Sequence, residues 1–170
     1  LHDPRVKYNK NKTNIGMNAN FLYATKELAT GTYITFVSSD DYLVNDSFVS
    51  EGIARILEHP TVSIVHSINV LENTLIDEFF TDSSYLHYKD VFYNQPYVSG
   101  KRVFDHFPQV HSISFGGSLF SREQLLLGKP FEGKVLSGDV QVILHLLLSN
   151  DVAFLNKKSY VARRHNGNAT

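Results

Sequence analysis

The sequence predicts a single α/β domain, and three observations carry that expectation. Residues 17–30 place Phe21, Ala24, Leu28 and Ala29 at helical spacing with Gly31 as the stop, and residues 33–37 follow as a β-branched and aromatic run that suits a buried strand. Val49, Ile53, Ile56 and Leu57 repeat the helical period up to Pro60, and residues 62–66 return to a strand pattern. Helix and strand taking turns in this way is the mark of a sheet built with crossovers. The third observation is the end of the first strand, which stops on two adjacent acids, Asp40 and Asp41. In open α/β sheets the crevice beyond the carboxyl ends of the strands is where ligands bind.

Composition bounds the rest. A chain of 170 residues fits one domain with a real core, and 42% hydrophobic with 19% charged residues describes a soluble globular protein. A formal net charge of -1 gives no electrostatic reason to expect nucleic acid. The absence of cysteine excludes disulfides and thiolate metal sites and fits a reducing compartment. No apolar run reaches the length of a membrane span. The opening Leu1-His-Asp-Pro4 lacks an initiator Met and reads as the interior of a longer sequence.

The remaining elements follow in order. Residues 5–8 suit a short strand, residues 9–14 a polar basic loop, and Gly16 a backbone hinge. Residues 68–71 read as a strand, and residues 85–107 as loop with short helical pieces, crowded with Tyr and Phe that form either a satellite core or a shelf for a sugar ring. Residues 111–122 suit a strand carrying Gly116-Gly117, a bulge or a close approach of backbone to ligand. A short helix over 122–127 ends at Gly128 and Pro130. Ser137 caps a last helix, residues 140–148, apolar nearly all round and expected to be buried with His145 in the core. Residues 152–156 and 159–163 complete the chain as a hairpin pair.

Few residues carry chemistry in this pattern, and each has two readings. Two carboxylates side by side repel, and a divalent cation relieves that repulsion; acids at a strand end are equally at home as helix caps and turn formers. Asp139, in the first turn of the last helix, is explained by the macrodipole, while a carboxylate fixed there also makes a well-placed general base. Arg163-Arg-His165 either grips a diphosphate or forms a solvated basic tail. There is no Gly-rich phosphate loop ending in Lys-Ser/Thr, no HExxH pair and no nucleophile elbow.

Taken as an ordered set, these stretches resemble a known family. Asn14-Ile-Gly16, Ala29-Thr-Gly31-Thr-Tyr-Ile34, Ser39-Asp-Asp-Tyr-Leu43, Gly116-Gly-Ser-Leu-Phe-Ser-Arg-Glu123, Gly138-Asp139 and Arg163-Arg-His165 are similar to the motifs of family 2 glycosyltransferases of the GT-A fold. The resemblance implies a mainly parallel central sheet flanked by helices, with the family's first strand and helix missing. Residues 1–66 would be the remainder of the donor half and residues 67–170 the acceptor half.

The implied activity is inverting, metal-dependent transfer of a sugar from a UDP-linked or similar nucleotide sugar to a glycan or lipid-linked acceptor, in bacterial surface polysaccharide synthesis. By the same resemblance Asp139 is the catalytic base, and Asp40, Asp41 and His165 hold Mn2+ or Mg2+. Asn14, Gly16, Ser39, Arg163 and Arg164 bind the nucleotide sugar, and Gly116 and Gly117 line the sugar pocket. Ser38 stands where the family's DxD motif usually begins with Asp, which weakens the expected metal and nucleotide grip. The implied location is cytoplasmic or peripheral at the inner face of the membrane. Two other classes remain open: a non-catalytic carbohydrate- or nucleotide-binding module, and a cation-dependent nucleotidyltransferase.

Overall fold

The computed structural model describes residues 3–107, 113–128 and 137–166. Three strands running in one direction organise it: β1 (Tyr33–Thr35), β3 (Val62–Asn73) and β6 (Asp151–Arg164). β3 and β6 pair in parallel along the whole length of β3. The other side of β3 is shared, its first half by β5 (Ser118–Ser121) and its second half by β4 (Glu78–Thr81), both antiparallel. β2 (Tyr42–Leu43) closes the far edge antiparallel to β6, giving a six-stranded sheet in the order β1-β5-β3-β6-β2 with β4 beside β3.

The chain is therefore α/β, but its sheet is mixed rather than mainly parallel. The crossover from β1 to β3 exists as expected, yet β5 returns between them, so the two codirectional strands never pair with each other. The division at residue 66 falls inside β3, which belongs to one continuous sheet.

Each face of the sheet has its own core. On one, α2 (Phe48–Glu58) buries Phe48, Gly52 and Ile56 against Val65, Leu119 and Ala153. The stripe starts one residue before the expected one, and Val49 and Leu57 are exposed. The other face carries α4 (Gly100–His106) and α6 (Gly138–Leu147), whose Val103, Ile143 and Leu146 pack with Phe120, Val152 and Phe154. α1 (Met17–Tyr23) widens into a π-helical turn over Ala24–Leu28, which stops before Gly31 as the sequence predicts. α3 (Ser83–Tyr88) and the loop after it supply Tyr88, Phe92 and Tyr93 to this core, with Phe92 stacked on Phe154 at 5.1 Å between ring centroids. The aromatic middle thus belongs to the main core along most of its length and forms no satellite of its own among the described residues.

Several expected elements differ. Residues 5–8 are exposed and form no strand, having no partner strand among the described residues. The two segments read as a hairpin are one strand, β6. The polar Asn156-Lys-Lys158 between them is not a turn but an outward bulge, marked by the register jump from Leu155 opposite Ser67 to Lys158 opposite Ile68. β5 covers only Ser118–Ser121 of residues 111–122, preceded by a lone bridge from Gly116 to Phe36; His111 and Pro130 lie outside the described residues. Ser137 precedes α6 without a side-chain capping bond. His145 is exposed rather than buried, because it sits in the last turn on the solvent side, where its ring covers Gly128 at the end of α5 (Arg122–Leu127).

Candidate functional site

Since β1, β3 and β6 run the same way, their carboxyl ends meet at one edge of the sheet. The acids after β1, Asn69 to Asn73 of β3 and Tyr160 to Arg164 of β6 all gather there. A cavity of about 620 Å³ opens beside this edge. Its lining includes Ser38 and Asp41 from the turn after β1, Asp139 from the first turn of α6, and Gly116 and Tyr160 from the sheet. The apolar floor comes from Phe21, Phe36 and Phe115, with Phe36 and Phe115 stacked at 4.2 Å.

Period-two alternation assigns the side chains of β6 to faces. Tyr160 and Ala162 line the cavity, and Arg164 shares their face. Val161 and Arg163 point the other way, toward Tyr42. Arg163 is occupied there: its Nε donates to Glu72 at 2.9 Å and its guanidinium lies 4.8 Å above the Tyr42 ring. The Glu72 carboxylate pushes the Arg163 pKa up, so this cation serves the surface network. Of the two arginines expected to grip a diphosphate, only Arg164 stands on the cavity face. Its guanidinium makes no ion pair among the described residues.

The acid pair divides its work. Asp41 accepts the backbone N–H of Arg163 at 2.9 Å on one oxygen and the Tyr160 hydroxyl on the other. Burial, and then the Asp41 carboxylate beside it, raises the Tyr160 pKa, which keeps the phenol protonated as the donor. Asp40 turns outward to His165, 3.1 Å from its Nε2. Asp139, in contrast, is half-buried and carries no hydrogen bond or ion pair among the described residues.

Among the described residues no group of three or more His, Asp or Glu side chains is arranged to hold a metal ion. Asp40 and His165 nevertheless form an oxygen-nitrogen pair, the kind of partial donor set that a nucleotide-bound cation completes with phosphate oxygens and water. The imidazole favours manganese over magnesium. Asp41, with both oxygens engaged by the protein, is the poorer ligand.

The remaining expected residues divide in the same way. Asn14 and Gly16 line a shallower depression of about 450 Å³ that adjoins the main cavity at Met17, where Asn14 Oδ1 accepts the Gly16 N–H at 2.9 Å and Gly16 holds a φ of 81°. Ser39 is exposed in the turn before Asp41. Gly116 lines the cavity but Gly117 does not, and the close approach that excludes a side chain there is made by the protein itself. A Cβ on Gly116 would overlap the Tyr160 ring, and one on Gly117, whose φ is 71°, would overlap Asn69 Oδ1.

Asn69, Phe80, Asp82 and Tyr160 are among the cavity residues that escaped the sequence reading. Asp82 alone had a local signal, as an acid just before Ser83-Ser84; it caps α3 by accepting the Ser84 N–H at 2.6 Å. The others reach the site only through strand pairing. Compared with models of known families and with curated proteins, the sequence matches none. No described helix is long and apolar enough to cross a membrane.

Proposed function

We propose that the protein is a glycosyltransferase that moves a sugar from a nucleotide-sugar donor to an acceptor hydroxyl with inversion, in the building of a surface glycan. The observation that carries this reading is that Asp139, with no partner among the described residues, lines the same cavity as Asp41. A cavity of this size holds a sugar ring, and its aromatic floor suits the apolar face of one. Asp139 takes the proton of the acceptor hydroxyl as that oxygen bonds to the anomeric carbon. The bond from that carbon to the phosphate oxygen breaks with its electron pair, releasing nucleoside diphosphate. Arg164 faces the departing phosphates, and Asp40 with His165 would hold Mn2+ or Mg2+ there. Such a cation, when bound, neutralises charge on the leaving group.

A non-catalytic sugar-binding module is favoured by one observation, the full engagement of Asp41 by Tyr160 and Arg163. Asp139→Ala separates the two. For the enzyme it lowers nucleoside diphosphate release by about a hundredfold or more, the scale of general-base catalysis, while nucleotide-sugar affinity stays unchanged. Equal release by both proteins removes Asp139 from the mechanism. Release of pyrophosphate in place of nucleoside diphosphate supports a nucleotidyltransferase.

A further inference from the structure

The cavity and its rim differ in charge. Asp41, Asp82 and Asp139 all line the cavity, and no Lys, Arg or His does among the described residues. Arg164 and His165 are not part of its lining; they follow Tyr160 and Ala162 of the wall, at the end of β6 and just beyond it. Of the lining carboxylates, Asp139 has no partner among the described residues, whereas Oδ1 of Asn69, a side chain only 7% exposed, lies against Gly117 rather than in the cavity. Asp82 spends one oxygen on the Ser84 N–H, and its carboxylate also lines the adjoining depression with Asp139. Phe80, 42% exposed, stands on the strand that leads into Asp82 and offers an aromatic face at the cavity wall.

We infer that this cavity selects its sugar by charge: it takes a ring that brings hydrogen-bond donors and no negative charge, a neutral or amino hexose, and turns away uronic acids and sugar phosphates. The inference rests on the proposed sugar-binding role and names the substrate class that role would accept. Carboxylates accept the hydroxyl or ammonium hydrogens of such a ring at full strength. An anionic ring would meet like charge at a wall only partly open to water, which weakens its binding relative to a neutral ring. The diphosphate of a donor stays on the rim, where the cationic groups are, so one ligand spans both zones without conflict.

The test is titration of the full chain, without nucleotide or cation, by the methyl glycosides of glucosamine, glucose and glucuronic acid and their galacto counterparts, followed by NMR at low salt. The expected order of affinity is amino sugar, neutral sugar, uronate, with the uronate about tenfold or more weaker than the neutral sugar and the gap narrowing as salt is added. Asp82→Asn keeps the cap of α3, since Asn accepts the same N–H, and should shrink the penalty on the uronate about threefold. Equal affinities, a preference for the uronate, or no binding by any of the six overturns the inference. The order by charge without any release of nucleoside diphosphate sinks the transferase reading alone. Release of nucleoside diphosphate with no discrimination by charge sinks this inference alone.

Discussion

Two carboxylates that line the same cavity are held in opposite ways. Asp41 is tied on both oxygens to the end of β6, through the Tyr160 hydroxyl and the Arg163 N–H. Asp139 sits at the start of a helix with no partner among the described residues. The first arrangement fixes geometry: it anchors the turn after β1 to β6, three places across the sheet, and leaves Asp40 projecting toward His165. The second leaves a base available. On the proposed reading the first positions and the second reacts, and the same residue type serves both because its hydrogen bonds differ.

The largest stability effect should come from breaking the fixed wall at its narrowest point. Gly116→Ala drives a methyl into the Tyr160 ring, and overpacking of this kind costs about 2–3 kcal/mol in chemical denaturation. Displacing Tyr160 also frees Asp41, so nucleotide affinity falls with stability, whereas Asp139→Ala leaves both intact.

Any pH study of Asp139 has to be separated from a second acid response. His66 is fully buried in β3, its Nδ1 2.8 Å from Ser118 Oγ, and burial pushes its pKa down to about 4. The unfolded chain, with an ordinary value of 6.5, binds more protons than the folded one between those limits. Stability is therefore complete above pH 6.5 and falls as pH drops toward 4, by at most about 1.4 kcal/mol per pH unit. Urea titrations across that window should show the slope in the parent and lose it in His66→Gln. A slope that survives the substitution places the response elsewhere.

Smaller effects refine the contrast. Tyr160→Phe removes one hydrogen bond to a charged acceptor and should cost about 1.5 kcal/mol while loosening nucleotide binding. Arg163→Ala, on the outer face, removes the pair with Glu72 and the packing over Tyr42 and should cost about 1 kcal/mol with no change in nucleotide affinity. If Arg163→Ala weakens nucleotide binding more than Arg164→Ala does, the assignment of faces along β6 is wrong.

What the sequence disclosed follows from how local each signal is. α2 was legible because Ile53 and Ile56 repeat at helical spacing and Pro60 ends the run. β1 was legible because its apolar run ends on Asp40 and Asp41, and the same pair pointed to this edge of the sheet. β4 stayed hidden because Phe79 and Phe80 are both exposed and no buried-exposed alternation announces a strand. β6 was split because Asn156-Lys-Lys158 has the composition of a turn, and a bulge differs from a turn only by the partner strand that holds its register. Gly116-Gly117 could be read as a site of close approach, but that Tyr160 and Asn69 make the approach is a long-range fact. Asp41 was expected to be a ligand by its neighbours in the chain; its engagement by Tyr160 depends on a residue 119 positions away.

The most direct test of the central claim is a crystal structure of the protein with manganese and a non-transferable nucleotide sugar. The account predicts the sugar ring in the cavity between Asp41 and Asp139, over Phe36 and Phe115, with the diphosphate against Arg164 and His165. An empty cavity with the ligand bound at another surface would contradict it.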